Sequence, residues 1–249
     1  MRLIAHRGYS GIAPENTLAA FQKAIDAGCT TIEFDVQLSR DAVPFVIHDP
    51  TLDRTTTGHG KVIETTARDL SHCGAGYFAR FGDTFEEEHL PTLEETLAFL
   101  KGKAQVFIEI KSESVFQNRE DVERSVVDLL DRFTMIGDAI IISFEPLALL
   151  RTKRFQPKLK TGYLVARDDL GRGLDKTAEI GAEMILYHRS QVDRMKIDMA
   201  HSRGFQCAIY TVDTPEELLP YLDMGLDGIG SNFPGELIQY LKKHQPEKR

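Results

Sequence analysis

Short apolar segments recur along the chain, and a helix-like stretch follows each of them. Their lengths and their flanking residues are typical of buried strands. The eight segments are LIA (3–5), TIEFDV (31–36), QVFIEI (105–110), AIIISF (139–144), TGYLV (161–165), EMILYH (183–188), QCAIYTV (206–212) and DGIGS (227–231). Eight alternating strand and helix units in 249 residues predict an α/β fold, a TIM (β/α)₈ barrel, with a doubly wound open sheet as the alternative.

The first helix is predicted from its apolar face and from the residues at its two ends. Leu18, Phe21 and Ile25 share one side of a helix predicted over residues 17–27. Asn16 is predicted to cap its start, and Gly28 is predicted to end it.

A ninth apolar segment, PFVIHD (44–49), does not fit the alternation. Only about eight residues separate it from TIEFDV, and a parallel crossover needs a dozen or more. We therefore expect an antiparallel hairpin with its turn near Arg40 to Ala42, which would bring His48 opposite Asp35.

The region from about 51 to 90 follows this hairpin without a strand and helix pattern. We interpret it as a small insertion after the second barrel strand, within a single domain that spans residues 1–249. Its aromatic residues are expected to form a small core of the insertion. These residues are Tyr77, Phe78, Phe81 and Phe85.

Composition and charge narrow the possible functions. The net charge of −8 excludes the broad basic surface that nucleic acid requires, so any anionic ligand must be attracted locally. The three cysteines are scattered, which argues against both a zinc site and a disulfide framework. No apolar run reaches membrane-spanning length, and the start MRLIAHRG is unlike a signal peptide. We expect no stable membrane insertion and a cytoplasmic location.

Polar residues stand where the predicted strands end. In a (β/α)₈ barrel the carboxyl ends of the strands surround the active site. Residues spaced i, i+2 on a strand point to the same face, so side chains from neighbouring strands should converge there. The candidates are His6 and Arg7 from the first strand, Glu33 and Asp35 from the second, His48 from the hairpin, and Glu109 and Lys111 from the third barrel strand.

Three carboxylates would converge in this site, those of Glu33, Asp35 and Glu109. Packed carboxylates repel one another unless they share protons or a cation, and oxygen ligands suit a hard divalent ion. We expect one cation, Mg²⁺ or Ca²⁺. With Arg7 and Lys111 the formal charge is −1 and becomes +1 with the ion, which favours an anionic ligand such as phosphate. A structural ion pair between Glu109 and Lys111 is the alternative.

His6 and His48 would flank such a phosphoryl group. Imidazole titrates near neutral pH, so this pair suits general acid and general base roles. Glu15 and Asn16 of PENT are assigned structural roles, and Asp49 before Pro50 is interpreted as a turn residue. The remaining histidines have no partner motif and are assigned no role. They are His59, His72, His89, His188, His201 and His244.

The motifs HRG, PENT, EFDV, VIHD and EIK, in this order, resemble those of the glycerophosphodiester phosphodiesterase family. The resemblance covers nearly the whole chain and extends through RTTTGHGKV and LPTLEE. It implies a TIM barrel that hydrolyses glycerophosphodiesters to sn-glycerol 3-phosphate and an alcohol. It implies His6 and His48 as the acid and base. Glu33, Asp35 and Glu109 would be the metal ligands, and Arg7 and Lys111 would bind phosphate.

Two departures from the family pattern lie near the C-terminus. Tyr210 stands where members often have tryptophan, and the final strand ends in SNFP (231–234) rather than in a TD or TN pair. Both bear on recognition of the headgroup more than on catalysis. Two other functions stay open: a phospholipase D-like phosphodiesterase acting on lysophospholipids or sphingolipid phosphodiesters, and a non-catalytic binder of phosphorylated headgroups. The oligomeric state is not predicted.

Overall fold

The fold is a closed barrel, seen in a computed structural model that describes residues 1–166 and 172–244. Eight parallel strands form a ring, because the first strand pairs with both the second and the last. The strands are β1 (Arg2–His6), β2 (Thr31–Leu38), β3 (Pro44–Val46), β4 (Gln105–Ile110), β5 (Ala139–Ser143), β6 (Lys160–Val165), β7 (Met184–His188), β8 (Gln206–Tyr210) and β9 (Gly228–Ser231). The predicted barrel and its eight strands are confirmed.

A helix follows each barrel strand and covers its outer face. The helices are α1 (Leu18–Asp26), α2 (Ala67–Leu70), α3 (Phe78–Phe81), α4 (Leu93–Leu100), α5 (Asp121–Arg132), α6 (Pro146–Phe155), α7 (Gly173–Ile180), α8 (Arg194–Ser202), α9 (Pro215–Leu218) and α10 (Pro234–His244). Helices α2 and α3 belong to the insertion. Within the described residues, no helix has the length and apolar character needed to cross a membrane.

Apolar side chains fill both sides of the strands. The barrel interior is packed by one cluster that includes Phe107, Ile142, Leu164 and Leu186. Larger clusters lie between the strands and the surrounding helices. Because this packing occupies the lower part of the barrel, polar side chains are left for the upper rim, where the carboxyl ends of the strands meet.

Strand β3 is the predicted hairpin partner of β2. The turn lies between Leu38 and Pro44, and Val36 pairs with Val46 in antiparallel register. Ile47 lies directly opposite Asp35, and its amide donates to the Asp35 carbonyl at 3.0 Å. His48 follows one residue further on, so the predicted hairpin is confirmed and His48 lies roughly where it was expected.

The insertion lies between β3 and α4 and has its own core, but its aromatic residues do not form it. Aliphatic residues such as Leu52, Val62 and Leu70 pack there against Phe45. Phe78 is 69% exposed, and the rings near it touch one another edge-on at the surface. The prediction of an aromatic core was wrong because the aliphatic side chains, which come from both ends of the segment, already fill the interior.

Candidate active site

A cavity of about 200 Å³ opens at the carboxyl ends of the strands. All the predicted site residues except Asp35 line it directly, and Asp35 lies buried behind them. The polar side chains occupy the wall formed by β1, β2 and β4, which we call the charged wall. The opposite side, formed by β5, β7 and β8, carries Phe144, His188 and Tyr210, which we call the aromatic wall.

The end of β1 turns sharply at Arg7 and Gly8. Both residues have positive φ angles, 56° and 80°. Gly8 is required at this turn, because a Cβ there would lie 2.7 Å from Ala20. The turn directs the Arg7 backbone amide to Glu33 Oε2 at 2.9 Å. The HRG motif thus joins the first strand to the carboxylates of the second.

The predicted metal ligands meet as expected. Carboxylate oxygens of Glu33, Asp35 and Glu109 all lie within 4.8 Å of one another, and all three residues are buried. Burial, with repulsion from the neighbouring acids, raises the pKa of Glu33 well above its usual range and that of Glu109 to about 7. Burial also opposes ionisation of Asp35, but Arg7 and Lys111 hold its pKa below the ordinary value. The cluster therefore takes up protons when no cation is bound.

These carboxylates fit a hard divalent cation. Within the described part of the chain, the buried Asp35 Oδ1 has no hydrogen-bond donor, and Lys111 Nζ is 3.4 Å away. Because an unsatisfied buried oxygen is costly, a cation on this atom would stabilise the site. The oxygen-only ligand set is the one that Mg²⁺ and Ca²⁺ prefer. Glu33, Asp35 and Glu109 can hold a metal ion.

The two cations of the charged wall contact its carboxylates. Arg7 Nη1 donates to Glu15 Oε1 at 2.8 Å, and Arg7 Nε lies 3.4 Å from Asp35 Oδ2. Lys111 Nζ donates to Glu109 Oε1 at 2.7 Å. The sequence offered an ion pair between Glu109 and Lys111 as the alternative to a metal site. Their contact shows that this ion pair also forms.

His6 is oriented from the far end of the chain. Its Nδ1 lies 2.8 Å from Asn232 Oδ1, and the Asn232 amide donates to Asp213 Oδ2 at 2.8 Å. An ionised carboxylate only accepts, so Asp213 turns the amide nitrogen of Asn232 to itself and the oxygen to His6. His6 Nδ1 is then the donor, which leaves Nε2 as an acceptor. Burial, helped by Arg7, lowers the pKa of His6 to about 4.

His48 is oriented by a charged partner. Its Nδ1 lies 2.7 Å from Asp49 Oδ1. Arg54 holds the same carboxylate with Nε at 2.6 Å and Nη2 at 2.8 Å, and this hydrogen bonding lowers the pKa of Asp49 to about 2. Asp49 therefore orients His48 in addition to the turn that the sequence indicated.

Arg54 also bonds Glu15, which is the carboxylate that holds Arg7. Arg54 Nη1 and Nη2 both donate to Glu15 at 2.8 Å. One guanidinium of the insertion thus links the partners of His48 and Arg7. Arg54 is the first residue of the RTTTGHGKV motif. Sequence spacing gave no reason to connect it with Glu15, because Glu15 lies 39 residues earlier.

Asn16 has a different role from the predicted one. Thr17, not Asn16, caps α1, with its hydroxyl accepting from the Ala20 amide. Asn16 has a φ of 61°, which turns its side chain into the barrel. Its amide nitrogen donates to Asp35 Oδ2 at 2.9 Å, and its oxygen accepts from the Asp35 backbone amide at 3.2 Å. The cap prediction was wrong because this left-handed conformation leaves the cap position to the next residue.

The wider charged wall has a more negative formal charge than its predicted members alone. Asp49 and Glu15 add two negative charges and Arg54 adds one positive charge to the predicted set. Five carboxylates then face three permanent cations, a formal charge of −2, which a divalent ion brings to zero.

The sequence indicated only Tyr210 of the aromatic wall. The centroid of Tyr210 lies 6.5 Å from that of Phe144 and 5.9 Å from that of His188, with ring planes near 85° and 80°. His188 had no partner motif, yet it lines the cavity. Aromatic residues at strand ends are common in cores, so the pattern alone gave no reason to assign them to the site.

Comparisons with known proteins agree with this geometry. The model of the glycerophosphoryl diester phosphodiesterase family matches residues 6–236. A glycerophosphodiester phosphodiesterase of Caldanaerobacter subterraneus subsp. tengcongensis is 33% identical over 246 residues, covering 97% of this chain and 98% of the relative. One from Bacillus subtilis is 30% identical over 257 residues, covering 96% and 86%.

Solved structures show the same fold. That of an Oleispira antarctica phosphodiesterase in complex with the product sn-glycerol-3-phosphate superposes with a TM-score of 0.89 at 28% identity, covering 97% of each chain. The family match spans the residues of both histidines, the three carboxylates and the Asn232 partner of His6. This chain is a member of the glycerophosphoryl diester phosphodiesterase family.

Proposed function

We propose that this enzyme hydrolyses glycerophosphodiesters to sn-glycerol 3-phosphate and an alcohol, with His6 and His48 as the proton-transfer pair. The observation that carries the proposal is that both histidines line one cavity together with Arg7 and Lys111. The family relatives and the product bound in the Oleispira antarctica enzyme support the substrate class.

The hydrogen bonds of the two rings favour different roles. His6 has a neutral amide partner and a pKa lowered by burial, so it is uncharged near neutral pH and suits the general base. His48 is held through Nδ1 by the Asp49 carboxylate, and we assign it the complementary role of general acid. His6 would take the proton of the nucleophile, and His48 would protonate the leaving oxygen.

Arg7 and Lys111 would bind the phosphoryl oxygens. Arg7 brings a planar guanidinium held by Glu15, and Lys111 brings a point charge held by Glu109. Glu33, Asp35 and Glu109 would hold one Mg²⁺ or Ca²⁺, which when bound neutralises phosphoryl charge. The nucleophile is water or the glycerol 2-hydroxyl of the substrate, and trapping a cyclic phosphate during turnover would identify the latter.

The test measures glycerol 3-phosphate released from glycerophosphocholine and glycerophosphoethanolamine with Mg²⁺, Ca²⁺ or EDTA. Release that requires the cation and disappears in His48→Ala would support the reaction and the site together. No release from either diester by a folded, metal-loaded enzyme would overturn the proposal. Turnover that instead rises with acyl chain length would favour a lysophospholipid substrate, and headgroup binding unaltered by His6→Ala and His48→Ala would favour a binder.

A further inference from the structure

The aromatic wall has no part in the chemistry assigned to the charged wall. Phe144 directly follows β5, His188 ends β7 and Tyr210 ends β8, so three separate strands deliver one ring each to the same cavity. The rings stand nearly perpendicular to Tyr210 and do not stack on it. Perpendicular rings present their faces in different directions, which is how aromatic cages surround a cation.

All three residues offer ring faces to the cavity wall. The Ser190 hydroxyl and backbone amide lie 2.7 Å and 3.3 Å from His188 Nδ1, so both groups of Ser190 hold this ring in place. The Tyr210 phenol stays protonated, because burial, with Glu109 nearby, raises its pKa above the usual value. Phe144 has no ionisable group. The faces of such rings are electron-rich and attract cations.

The wall also offers a cation no carboxylate. Among the described residues that line the cavity, the carboxylates are Glu33 and Glu109, and both belong to the predicted metal cluster. Glu109 is near enough to Tyr210 to raise the pKa of its phenol, but Glu109 Oε1 already accepts from Lys111 Nζ at 2.7 Å. A primary ammonium has three N–H donors that need acceptors and would leave some of them unsatisfied here. A quaternary ammonium has no N–H group, so it needs only ring faces.

We propose that Phe144, His188 and Tyr210 form the subsite for a quaternary ammonium group on the leaving alcohol, so that choline-type diesters are the preferred substrates. This inference rests on the proposed function. The phosphoryl group sits at Arg7 and Lys111, and the leaving alcohol extends across the cavity to the aromatic wall. The hydroxyls of the glycerol moiety need polar partners, and the charged wall supplies them.

The test compares kcat/KM for three diesters of glycerol 3-phosphate under the same metal concentration. Their alcohols are choline, ethanolamine and 3,3-dimethylbutanol, the last being an uncharged analogue of choline with the same shape. We expect choline to be preferred about tenfold over each of the other two, the size of one to two cation–π contacts. Equal values for choline and ethanolamine, or for choline and the uncharged analogue, would overturn the inference.

Matched variants distinguish the contribution of the Tyr210 ring from that of its hydroxyl group. Tyr210→Phe keeps the aromatic face, so the choline preference should persist, whereas Tyr210→Leu should remove most of it. Phe144→Leu should reduce the preference in the same way. A preference that survives Tyr210→Leu and Phe144→Leu in folded enzyme would show that these rings do not bind the headgroup.

A binding measurement distinguishes failure of this inference from failure of the proposed function. Calorimetry with the metal-loaded enzyme would compare phosphocholine with phosphoethanolamine. Tighter binding of phosphocholine supports the subsite even if no diester is hydrolysed, in which case the proposed reaction alone fails. Equal binding overturns the subsite whether or not hydrolysis is observed.

Discussion

The two walls of the cavity are built in different ways. On the charged wall, side chains from different elements bond to one another: Asn16 to Asp35, Arg54 to Glu15 and Asp49, and Asn232 to His6. On the aromatic wall, the rings meet only through edge contacts about 6 Å between centroids. A bonded network fixes positions closely, which proton transfer and cation binding require. Ring faces attract a cation without fixed bond directions, which suits the proposed contact with the leaving alcohol.

The largest effect should come from the histidines of the charged wall. His6→Ala and His48→Ala should each lower kcat by about 10²–10⁴-fold, because under the proposed function each removes a general acid or base. The measurement is kcat on the best diester at saturating cation, with folding checked by circular dichroism. His72→Ala is the control, because His72 is exposed and bonds only the Arg68 carbonyl. Losses below about threefold for both site variants would contradict the assignment.

Asn16→Ala tests whether the network reaches the cation. Removing the amide that bonds Asp35 should weaken Mg²⁺ or Ca²⁺ binding by about 10–100-fold, the usual effect of losing a group that orients a metal ligand. Calorimetry of cation binding measures it. Gln22→Ala on the exposed face of α1 is the control. Unchanged affinity would mean that Asp35 is held without Asn16.

Arg54→Ala tests whether the insertion supports the site. Asp49 and Glu15 would lose their shared counter-ion, and His48 and Arg7 would lose orientation, so kcat should fall about tenfold. Arg54→Lys should not restore it, because an ammonium cannot replace the forked bonds to two carboxylates. Arg80→Ala, in the same insertion, is the control and should keep wild-type kcat, because the Arg80 side chain contacts the Gly11 carbonyl and the Phe81 ring and no carboxylate of the site. Full activity of Arg54→Ala would mean that the insertion covers the site but does not support its side chains.

The smallest effect is a pH dependence of stability in metal-free protein. Burial raises the pKa of Glu109 to about 7, above its ordinary value of 4.5. Its contribution to stability is therefore fully present below about pH 4.5 and is lost as the pH rises through about 7. His6 contributes in the opposite sense between about pH 4 and 6.5, because burial lowers its pKa to about 4. The contribution of Glu109 is therefore measured as the Tm of the wild type minus that of Glu109→Gln, which should fall by a few degrees over this interval, about 2–4 °C for each kcal/mol.

Saturating Ca²⁺ should remove this fall, because a cation replaces the proton on the carboxylate cluster. Glu109→Gln lacks the Glu109 contribution, since the amide does not titrate, and keeps that of His6. A Tm difference between metal-free wild type and Glu109→Gln that does not fall between pH 5 and pH 7.5 would contradict the raised pKa.

The sequence predicted the barrel and the charged wall for the same reason. Buried strands between amphipathic helices are a local pattern, and parallel strands bring their carboxyl ends together whatever the helices between them. Ionisable residues at such ends are costly to bury. The positions of His6, Glu33 and Glu109 at strand ends therefore indicated a functional site.

The supporting residues could not be predicted because they depend on conformations and contacts that are not local. Asn16 reaches Asp35 only through a left-handed backbone, and Asn232 reaches His6 across a sequence separation of 226. Arg54 acts through two carboxylates from different segments. The insertion core was misjudged because the aromatic residues were close in sequence, whereas the aliphatic residues that fill it are not.

The hydrogen bond between His6 and Asn232 also sets when the enzyme becomes active during folding. His6 lies in the first strand, and its partner follows the last one, so the two meet only when β9 pairs with β1 and closes the ring. A chain still emerging from the ribosome would have the proposed metal ligands long before it has the partner that orients the proposed base, His6. Such distant contacts form late. Recovery of activity on refolding should then report ring closure, after most of the helical signal has returned.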